Sequence, residues 1–136
     1  MAFTAMVLDT DILSAIMRQH PAALSRARTY LVEHDRFTLS IITRYEILRG
    51  LKAKGATKQA MVFDRFYARN ATLPLTEEAI VRAAEIYADL SKSGDLIGDA
   101  DILIAASALV HGLGVVTNNE NHFKRIRGLQ VENWLT

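Results

Sequence analysis

The chain has 136 residues, half of them hydrophobic, and a formal net charge of +1, which describes a globular domain rather than a disordered segment. It contains no cysteine, which excludes a disulfide framework, a zinc–thiolate site and a cysteine nucleophile, and we expect a reducing, cytoplasmic setting. No apolar run approaches the ~20 residues that a membrane helix needs, so no membrane association is expected.

Short apolar runs alternate along the chain with patterns of helical period. Runs of four to seven apolar residues bounded by turn-forming residues predict strands, and apolar residues at three- and four-residue spacing predict helices. In chain order the pattern predicts a strand over residues 3–9, helices over 12–18 and 21–34, a strand over 37–40, a helix from Ser40 or Thr43 to near Gly55, a helix over 58–69, a strand over 72–75, helices over 76–94 and 100–111, a strand over 115–117, a short helix over 121–125 and a strand over 129–132.

Capping and turn residues support these boundaries. Thr10 or Asp11 could cap the first helix, and Pro21 suits the first turn of the second. Pro74 marks the strand over 72–75 as an end or an edge of the sheet, because proline cannot donate a ladder hydrogen bond. Thr76 supplies a capping hydroxyl, and two glutamates follow it in the first turn of the next helix.

Strands alternating with helices predict an α/β fold. We expect three α/β/α layers, with a central parallel sheet of four to five short strands covered on both faces, and a single domain over residues 1–136. In such sheets the functional crevice lies outside the carboxyl ends of the strands. Asp9, Asp11 and residues 117–119 all follow predicted strands, so we expect them in that crevice.

The most apolar stretch of the chain begins beside acidic residues. Residues 102–110 are almost wholly apolar, and Asp99 and Asp101 lie at their N-terminal edge. Because a helix N-terminus favours negative charge, these carboxylates would lie at the rim of the core. Asp9 and Asp11 follow another apolar run near the start of the chain. These two pairs of acidic residues, each beside a buried apolar run and at opposite ends of the sequence, predict one shared site.

Carboxylates that converge in one crevice repel one another, and protons or a cation must offset the repulsion. Oxygen ligands without histidine or cysteine suit hard cations, so Mg²⁺ or Mn²⁺ is the expected occupant. Such an ion lowers the pKa of a bound water and stabilises charge developing on a phosphoryl group. Metal-dependent nucleases and phosphatases use this chemistry.

Each acid also has a purely structural interpretation. Asp99 stands where an N-cap should stand, and Asp11 could cap a helix beginning at Ile12. Glu46 could be a surface acid paired with Arg49 three residues later. Its neighbours are apolar, however, which disfavours a charged side chain that has no function there. Asp9 is hardest to explain in this way, because it has no evident helix of its own to cap.

Several sequence motifs occur in a characteristic order along the chain. They are VLDTDIL at residues 7–13, ITRYEILRG at 42–50, GDADILIAA at 98–106, VTNN at 116–119, and the ending with HFKRI at 122–126, Gly128–Leu129 and Glu132–Trp134. With these motifs the chain resembles the PIN domain family, and its C-terminal end resembles the VapC toxins of toxin–antitoxin pairs. The resemblance covers essentially the whole chain and depends on the order of the motifs rather than on one specific motif.

The resemblance implies an endoribonuclease that depends on Mg²⁺ or Mn²⁺ and cleaves RNA. It also implies inhibition by a VapB-like antitoxin and a homodimeric state. Carried over by position, the catalytic set is Asp9, Glu46, Asp101 and Asn119, with Asp101 preferred to Asp99. Asp9, Asp101 and Glu46 would bind the metal.

Three positions differ from residues that family members often have. Asp11 stands where the family often has asparagine, and it adds negative charge to the pocket. His122 stands where many members have an acid, and Asn119 stands where some have a carboxylate. Four basic residues could steer the RNA backbone toward the site: Arg44, Arg49, Lys124 and Arg125.

Two other functions compete with this interpretation. A small phosphatase of the haloacid dehalogenase type also has an Asp-x-Asp motif after a strand, as at Asp9–Asp11, and a Gly-Asp motif, as at Gly98–Asp99. That family needs a lysine between the motifs, for which the sequence offers no convincing candidate, and Glu46 would have no role. The second alternative is a catalytically inactive PIN module that binds RNA or protein.

Overall fold

The computed structural model describes residues 4–136, so the first residue of the strand predicted over 3–9 lies outside the described part. The rest of that strand is found as β1, and all the predicted elements are found in the predicted order, with boundaries shifted by a few residues. They are β1 (Met6–Leu8), α1 (Thr10–Met17), α2 (Pro21–His34), β2 (Thr38–Ser40), α3 (Ile41–Ala53), α4 (Thr57–Ala68), β3 (Ala71–Leu73), α5 (Glu77–Lys92), α6 (Asp99–Val110), β4 (Gly114–Val116), α7 (Glu120–Phe123) and β5 (Val131–Glu132).

The strands form one parallel sheet in the order β3-β2-β1-β4-β5. β1 lies at its centre, with Val7 opposite Thr38 of β2 and Val115 of β4. β3 is an edge strand that ends one residue before Pro74, so the proline interrupts no ladder, as its position predicted. The chain reverses its direction of travel across the sheet between β1 and β4, and parallel sheets bind ligands at such a switch point.

Both faces of the sheet are covered, which confirms the predicted three-layer arrangement. Successive side chains of a strand point to opposite faces, and Val7 of β1 packs with the buried residues of α5 and α6. Its neighbours Met6 and Leu8 pack in the second cluster, formed with helices α1 to α4 and the C-terminal Trp134. No helix between residues 4 and 136 is long and apolar enough to cross a membrane.

Tyr30 of α2 ties the helical layer to the start of the central strand. Its hydroxyl accepts a hydrogen bond from the Met6 backbone N–H at 3.1 Å and lies 3.3 Å from the Met6 carbonyl, to which it can donate. The ring stacks on His34 with centroids 4.3 Å apart and lies 5.5 Å from the Trp134 ring. Burial raises the pKa of Tyr30, so the hydroxyl keeps its proton.

We expect Tyr30→Phe to lower the free energy of unfolding by about 1–3 kcal/mol, because it leaves the buried Met6 N–H without its hydrogen-bond partner. Urea unfolding followed by circular dichroism measures the change. Tyr87→Phe is the matched control, since Tyr87 is exposed on α5, and it should change stability by less than about 0.5 kcal/mol. Equal effects of the two substitutions would contradict this role of Tyr30.

Candidate active site

The predicted site residues lie around the carboxyl ends of β1 and β4. Asp9 directly follows β1, and its backbone N–H donates to the Val116 carbonyl of β4 at 2.9 Å. Asn119 lies three residues beyond the end of β4, and Asp101 is in the first turn of α6. The fourth predicted residue, Glu46, comes from α3. The sheet therefore brings the two ends of the sequence together, as the strand-end pattern predicted.

Asp9 is held by both of its carboxylate oxygens. Oδ1 accepts from the Thr10 backbone N–H at 2.8 Å, and Oδ2 accepts from the Thr117 hydroxyl at 2.7 Å. Asp9 is therefore the N-cap of α1, which begins at Thr10. The expectation that Thr10 or Asp11 caps a helix beginning at Ile12 is wrong, as is the expectation that Asp9 has no helix to cap. The strand passes into the helix without a loop, so the acid at the strand end is also the cap.

The pocket around Asp9 is electrostatically unfavourable for carboxylates. Burial, followed by the charge of Asp11, raises the pKa of Asp9 to about 7, and the charge of Asp101 adds to the shift. Burial also raises the pKa of Asp11, with a further contribution from Asp101. The Asn118 backbone N–H donates to Asp11 Oδ2 at 3.1 Å, whereas Asp11 Oδ1 is buried without a hydrogen-bond partner. A positive charge near these groups would relieve the repulsion.

Glu46 is connected to Asp9 through Thr10. The Thr10 hydroxyl donates to Glu46 Oε1 at 2.6 Å, while the backbone N–H of the same residue donates to Asp9. The buried Thr43 hydroxyl lies 3.1 Å from the Thr10 hydroxyl. The predicted ion pair with Arg49 is also present, but it is long at 3.9 Å and the Arg49 side chain is exposed. An exposed pair of this kind contributes little, so Thr10 is the stronger contact of Glu46.

Asp101, Asn119 and His122 form the other side of the site. Asp101 Oδ2 lies 3.0 Å from His122 Nδ1 and 3.4 Å from Asn119 Nδ2. The Asn119 backbone N–H donates to the Thr117 hydroxyl at 2.9 Å, and that hydroxyl donates to Asp9. A continuous set of polar contacts therefore runs from Asp101 to Asp9.

Asp99 takes no part in these contacts. The N-cap of α6 is Gly98, with no side-chain cap, and Asp99 is the first helical residue and is exposed. The interpretation of Asp99 as the cap is therefore wrong, because the helix begins one residue earlier than that role requires. The preference for Asp101 over Asp99 agrees with the contacts of the two side chains.

Two polar residues of the site were not identified from the sequence as site residues: Thr10 and His122. Thr117 was expected in the crevice with residues 118–119, but its contact with Asp9 was not predicted. Thr10 directly follows the strand-terminal Asp9, which is the one signal that could have identified it. His122 was noted only as a departure from a family pattern. Its contact with Asp101 joins residues 21 positions apart, and only the folded chain reveals it.

The donor atoms fit a hard divalent cation in chemistry and charge. They are carboxylate oxygens, including the buried Asp11 Oδ1 that has no hydrogen-bond partner, and Mg²⁺ and Mn²⁺ prefer such ligands. Within residues 4–136, however, no three carboxylate or imidazole side chains are grouped closely enough to form a ready-made metal site. The described residues thus offer oxygen donors that suit such a cation in chemistry and charge, but not a preformed cage.

The four basic residues expected to steer RNA all make internal contacts. Arg44 pairs with Asp64 at 3.0 Å, and its guanidinium lies over the Tyr67 ring, 4.5 Å from the centroid. This double contact anchors Arg44 and makes it the least suited of the four to bind phosphate. The exposed side chains of Arg49 and Lys124 pair with glutamates, and Arg125 donates to backbone carbonyls.

The sequence profile of the PIN domain matches residues 6–129. The chain therefore belongs to the PIN domain family, as its motifs predicted.

Relatives of this chain within the family include VapC proteins. Ribonuclease VapC2 of Haemophilus influenzae is 34% identical over 131 residues, which are 95% of this chain and 97% of the relative. The tRNA(fMet)-specific endonuclease VapC of Shigella flexneri is 30% identical over 129 residues, 94% of this chain and 96% of the relative. The resemblance to VapC toxins is confirmed, and the dehalogenase-type phosphatase is set aside.

The fold also matches that of a chain in a solved VapBC2 structure. The crystal structure of VapBC2 from Rickettsia felis bound to a promoter DNA fragment contains a chain that superposes with a TM-score of 0.84 at 27% identity. The match covers 96% of this chain and 98% of the other. The predicted PIN-like α/β class is thereby confirmed.

Proposed function

We propose that this protein is a VapC-like endoribonuclease that depends on a divalent metal and acts as the toxin of a toxin–antitoxin pair. The nuclease assignment is supported by relatives that are named ribonucleases and a tRNA-specific endonuclease. The observation that carries the metal dependence is the state of Asp9. Asp9 is 6% exposed, both of its oxygens are oriented by hydrogen bonds, and two neighbouring carboxylates oppose its charge.

Asp9, Glu46 and Asp101 would hold Mg²⁺ or Mn²⁺ in this proposal, and Asn119 would complete the catalytic set from beside Asp101. When bound, the ion lowers the pKa of a water nucleophile and offsets charge on the phosphodiester. The protein's own contribution is orientation. Thr10 holds Asp9 and Glu46 in one contact set, so the two carboxylates keep a fixed relation to each other.

Substrate attraction would come from exposed basic side chains near the site. Lys124 and Arg125 directly follow α7, the short helix that carries His122. Arg49 lies one helical turn from Glu46. Phosphate contacts of this kind position a nucleic acid without reading its sequence, so these residues would support binding rather than target choice.

We further propose a VapB-like antitoxin as the inhibitory partner, because the fold matches a chain of the VapBC2 complex of R. felis. Exposed apolar side chains on α3 and α4 offer a surface to such a partner: Tyr45, Met61 and Val62. A homodimer, a single PIN domain over residues 1–136 and a cytoplasmic site of action remain parts of the same proposal.

The test is cleavage of a pool of structured RNAs with Mg²⁺ or Mn²⁺ and with chelator, comparing wild type, Asp101→Asn and Asp89→Asn. Asp89 is an exposed acid of α5 and is the matched control. We expect metal-dependent fragments from wild type and Asp89→Asn, and a loss of at least about 100-fold in rate with Asp101→Asn. RNA binding in chelator without cleavage under either metal would favour the inactive module instead.

A further inference from the structure

His122 makes a contact at the edge of the site that the proposed mechanism does not use. It lies in α7, whose next residue, Phe123, is fully buried in the core beside α6. The His122 backbone N–H also donates to the Asn119 carbonyl at 3.1 Å. The burial of Phe123 and this hydrogen bond fix the backbone of His122. The imidazole is thereby held where its Nδ1 lies 3.0 Å from Asp101 Oδ2.

The hydrogen-bonding capacity of the three side chains determines which atom donates. A carboxylate only accepts, so the contact of His122 with Asp101 requires the proton to be on Nδ1. The Asn119 Nδ2 atom lies 2.7 Å from the same Nδ1, and two donors cannot bond to each other at that distance. A half turn of the amide exchanges its nitrogen and oxygen and places Asn119 Oδ1 toward the ring. The same half turn leaves Oδ1 3.4 Å from Asp101 Oδ2, where two acceptors form no hydrogen bond, so Asn119 is then connected to Asp101 only through His122. One N–H group of His122 then serves both Asp101 and Asn119.

We propose that His122 is a positioning residue that fixes the Asp101 carboxylate, together with the Asn119 amide, for binding the divalent metal. This inference rests on the proposed metal-dependent function. Side chains that hydrogen-bond to metal ligands restrict the ligands' rotamers, and their loss typically weakens metal binding about 10–100-fold. The role requires a donor at Nδ1 and no bond from His122 to the metal.

Calorimetric titration of the RNA-free protein with Mg²⁺ and with Mn²⁺ tests the proposal, using His122→Ala, His122→Asn and Asn121→Ala. We expect His122→Ala to weaken binding of both ions by the same factor, about 10–100-fold. At saturating metal, kcat for RNA should fall while KM stays unchanged. His122→Asn should recover most of the affinity, because its amide nitrogen lies near the place of Nδ1. Asn121 is exposed in the same helix, and Asn121→Ala should bind as wild type does.

Three results would overturn the positioning role. His122→Ala could bind both ions as wild type does, or His122→Asn could bind no better than His122→Ala. A loss of Mn²⁺ affinity much larger than the loss of Mg²⁺ affinity would make the imidazole nitrogen a ligand instead, since nitrogen donors favour the transition metal.

Asp101→Ala separates the failure of this inference from failure of the proposed function. If Asp101→Ala binds metal as wild type does, the metal site itself is misassigned. If Asp101→Ala abolishes binding while His122→Ala leaves it unchanged, only the role of His122 fails. Thermal unfolding of each variant in chelator shows whether it is folded.

Discussion

Asp9→Asn is expected to stabilise the metal-free protein at neutral and higher pH, although it replaces a residue of the proposed active site. Asparagine has the same shape, its Oδ1 can still accept from the Thr10 N–H, and its Nδ2 can donate to the Thr117 hydroxyl. What the substitution removes is a buried negative charge beside Asp11 and Asp101. Burial and these neighbours raise the pKa of Asp9 from 3.8 to about 7, so the native state resists the ionisation that the unfolded chain undergoes freely.

The sign of the pH dependence follows from this shift. Between about pH 4 and about pH 7, native wild type holds a proton on Asp9 that the unfolded chain has lost, so the free energy of unfolding falls as pH rises. The full shift corresponds to about 4 kcal/mol, from which the altered Thr117 hydrogen bond takes about 1 kcal/mol. The advantage of Asp9→Asn should therefore grow from near zero at about pH 4 to roughly 3 kcal/mol at about pH 8.

Urea unfolding in chelator over this pH range measures the effect. Asp89→Asn is the control, and a change at this exposed acid should stay within about 0.5 kcal/mol. An Asp9→Asn protein that is less stable than wild type at about pH 8 would mean that Asp9 is not destabilised in the native state.

A divalent cation should reverse this instability in wild type. An ion that binds only the native state at 100 times its dissociation constant adds about 2.7 kcal/mol, which is a rise of roughly 8 °C in Tm for a chain of this size. We expect Mg²⁺ or Mn²⁺ to produce such a shift in wild type and Asp89→Asn. Asp101→Asn should lose most of it, because a proposed ligand is gone.

Differential scanning fluorimetry with a metal titration, followed by excess chelator, measures the shift and its reversal. A shift of equal size in wild type and Asp101→Asn would place the bound ion elsewhere on the protein. The apparent dissociation constant for the metal from this titration can be compared with the value from calorimetry on the same samples.

The fold was predictable from the sequence because its signals are local. Apolar runs and helical periods yielded the type and order of all the strands and helices that the structure describes, and Pro74 correctly marked an edge strand. The boundary error at α1 also has a local cause. Asp9 ends a strand and caps a helix in the same turn, and a sequence pattern that expects a loop between the two assigns the cap to Thr10 or Asp11.

The site was predictable only in part. The sequence predicted that Asp9 and Asn119 follow strands and that Asp101 lies at the start of a helix. These positions lie at the carboxyl-end edge of a parallel sheet, where such sheets bind ligands. Glu46 carries no such positional signal, because it lies in the second turn of α3. Its apolar neighbours marked it as unusual, and only the family resemblance assigned it to the site. Its contact with Thr10 depends on how α3 packs against α1, which no local pattern encodes.

The roles of Thr10, Thr117 and His122 could not be predicted for the same reason. Each depends on a distance between elements far apart in sequence, such as the 2.7 Å from the Thr117 hydroxyl to Asp9 Oδ2. Threonine and histidine are common in loops and caps, so their presence alone indicates nothing about a site. Only their contacts in the folded chain show that they lie against the carboxylates of the site.

The most direct test of the proposed function is the rate of RNA cleavage by Asp9→Asn at saturating Mg²⁺ or Mn²⁺, beside wild type. Because this variant is expected to be the more stable protein, loss of activity cannot be ascribed to unfolding. We expect no metal-dependent fragments above the chelator background from Asp9→Asn, and abundant fragments from wild type. Cleavage by Asp9→Asn at the wild-type rate would contradict the proposal that Asp9 binds the metal and that this crevice is the active site.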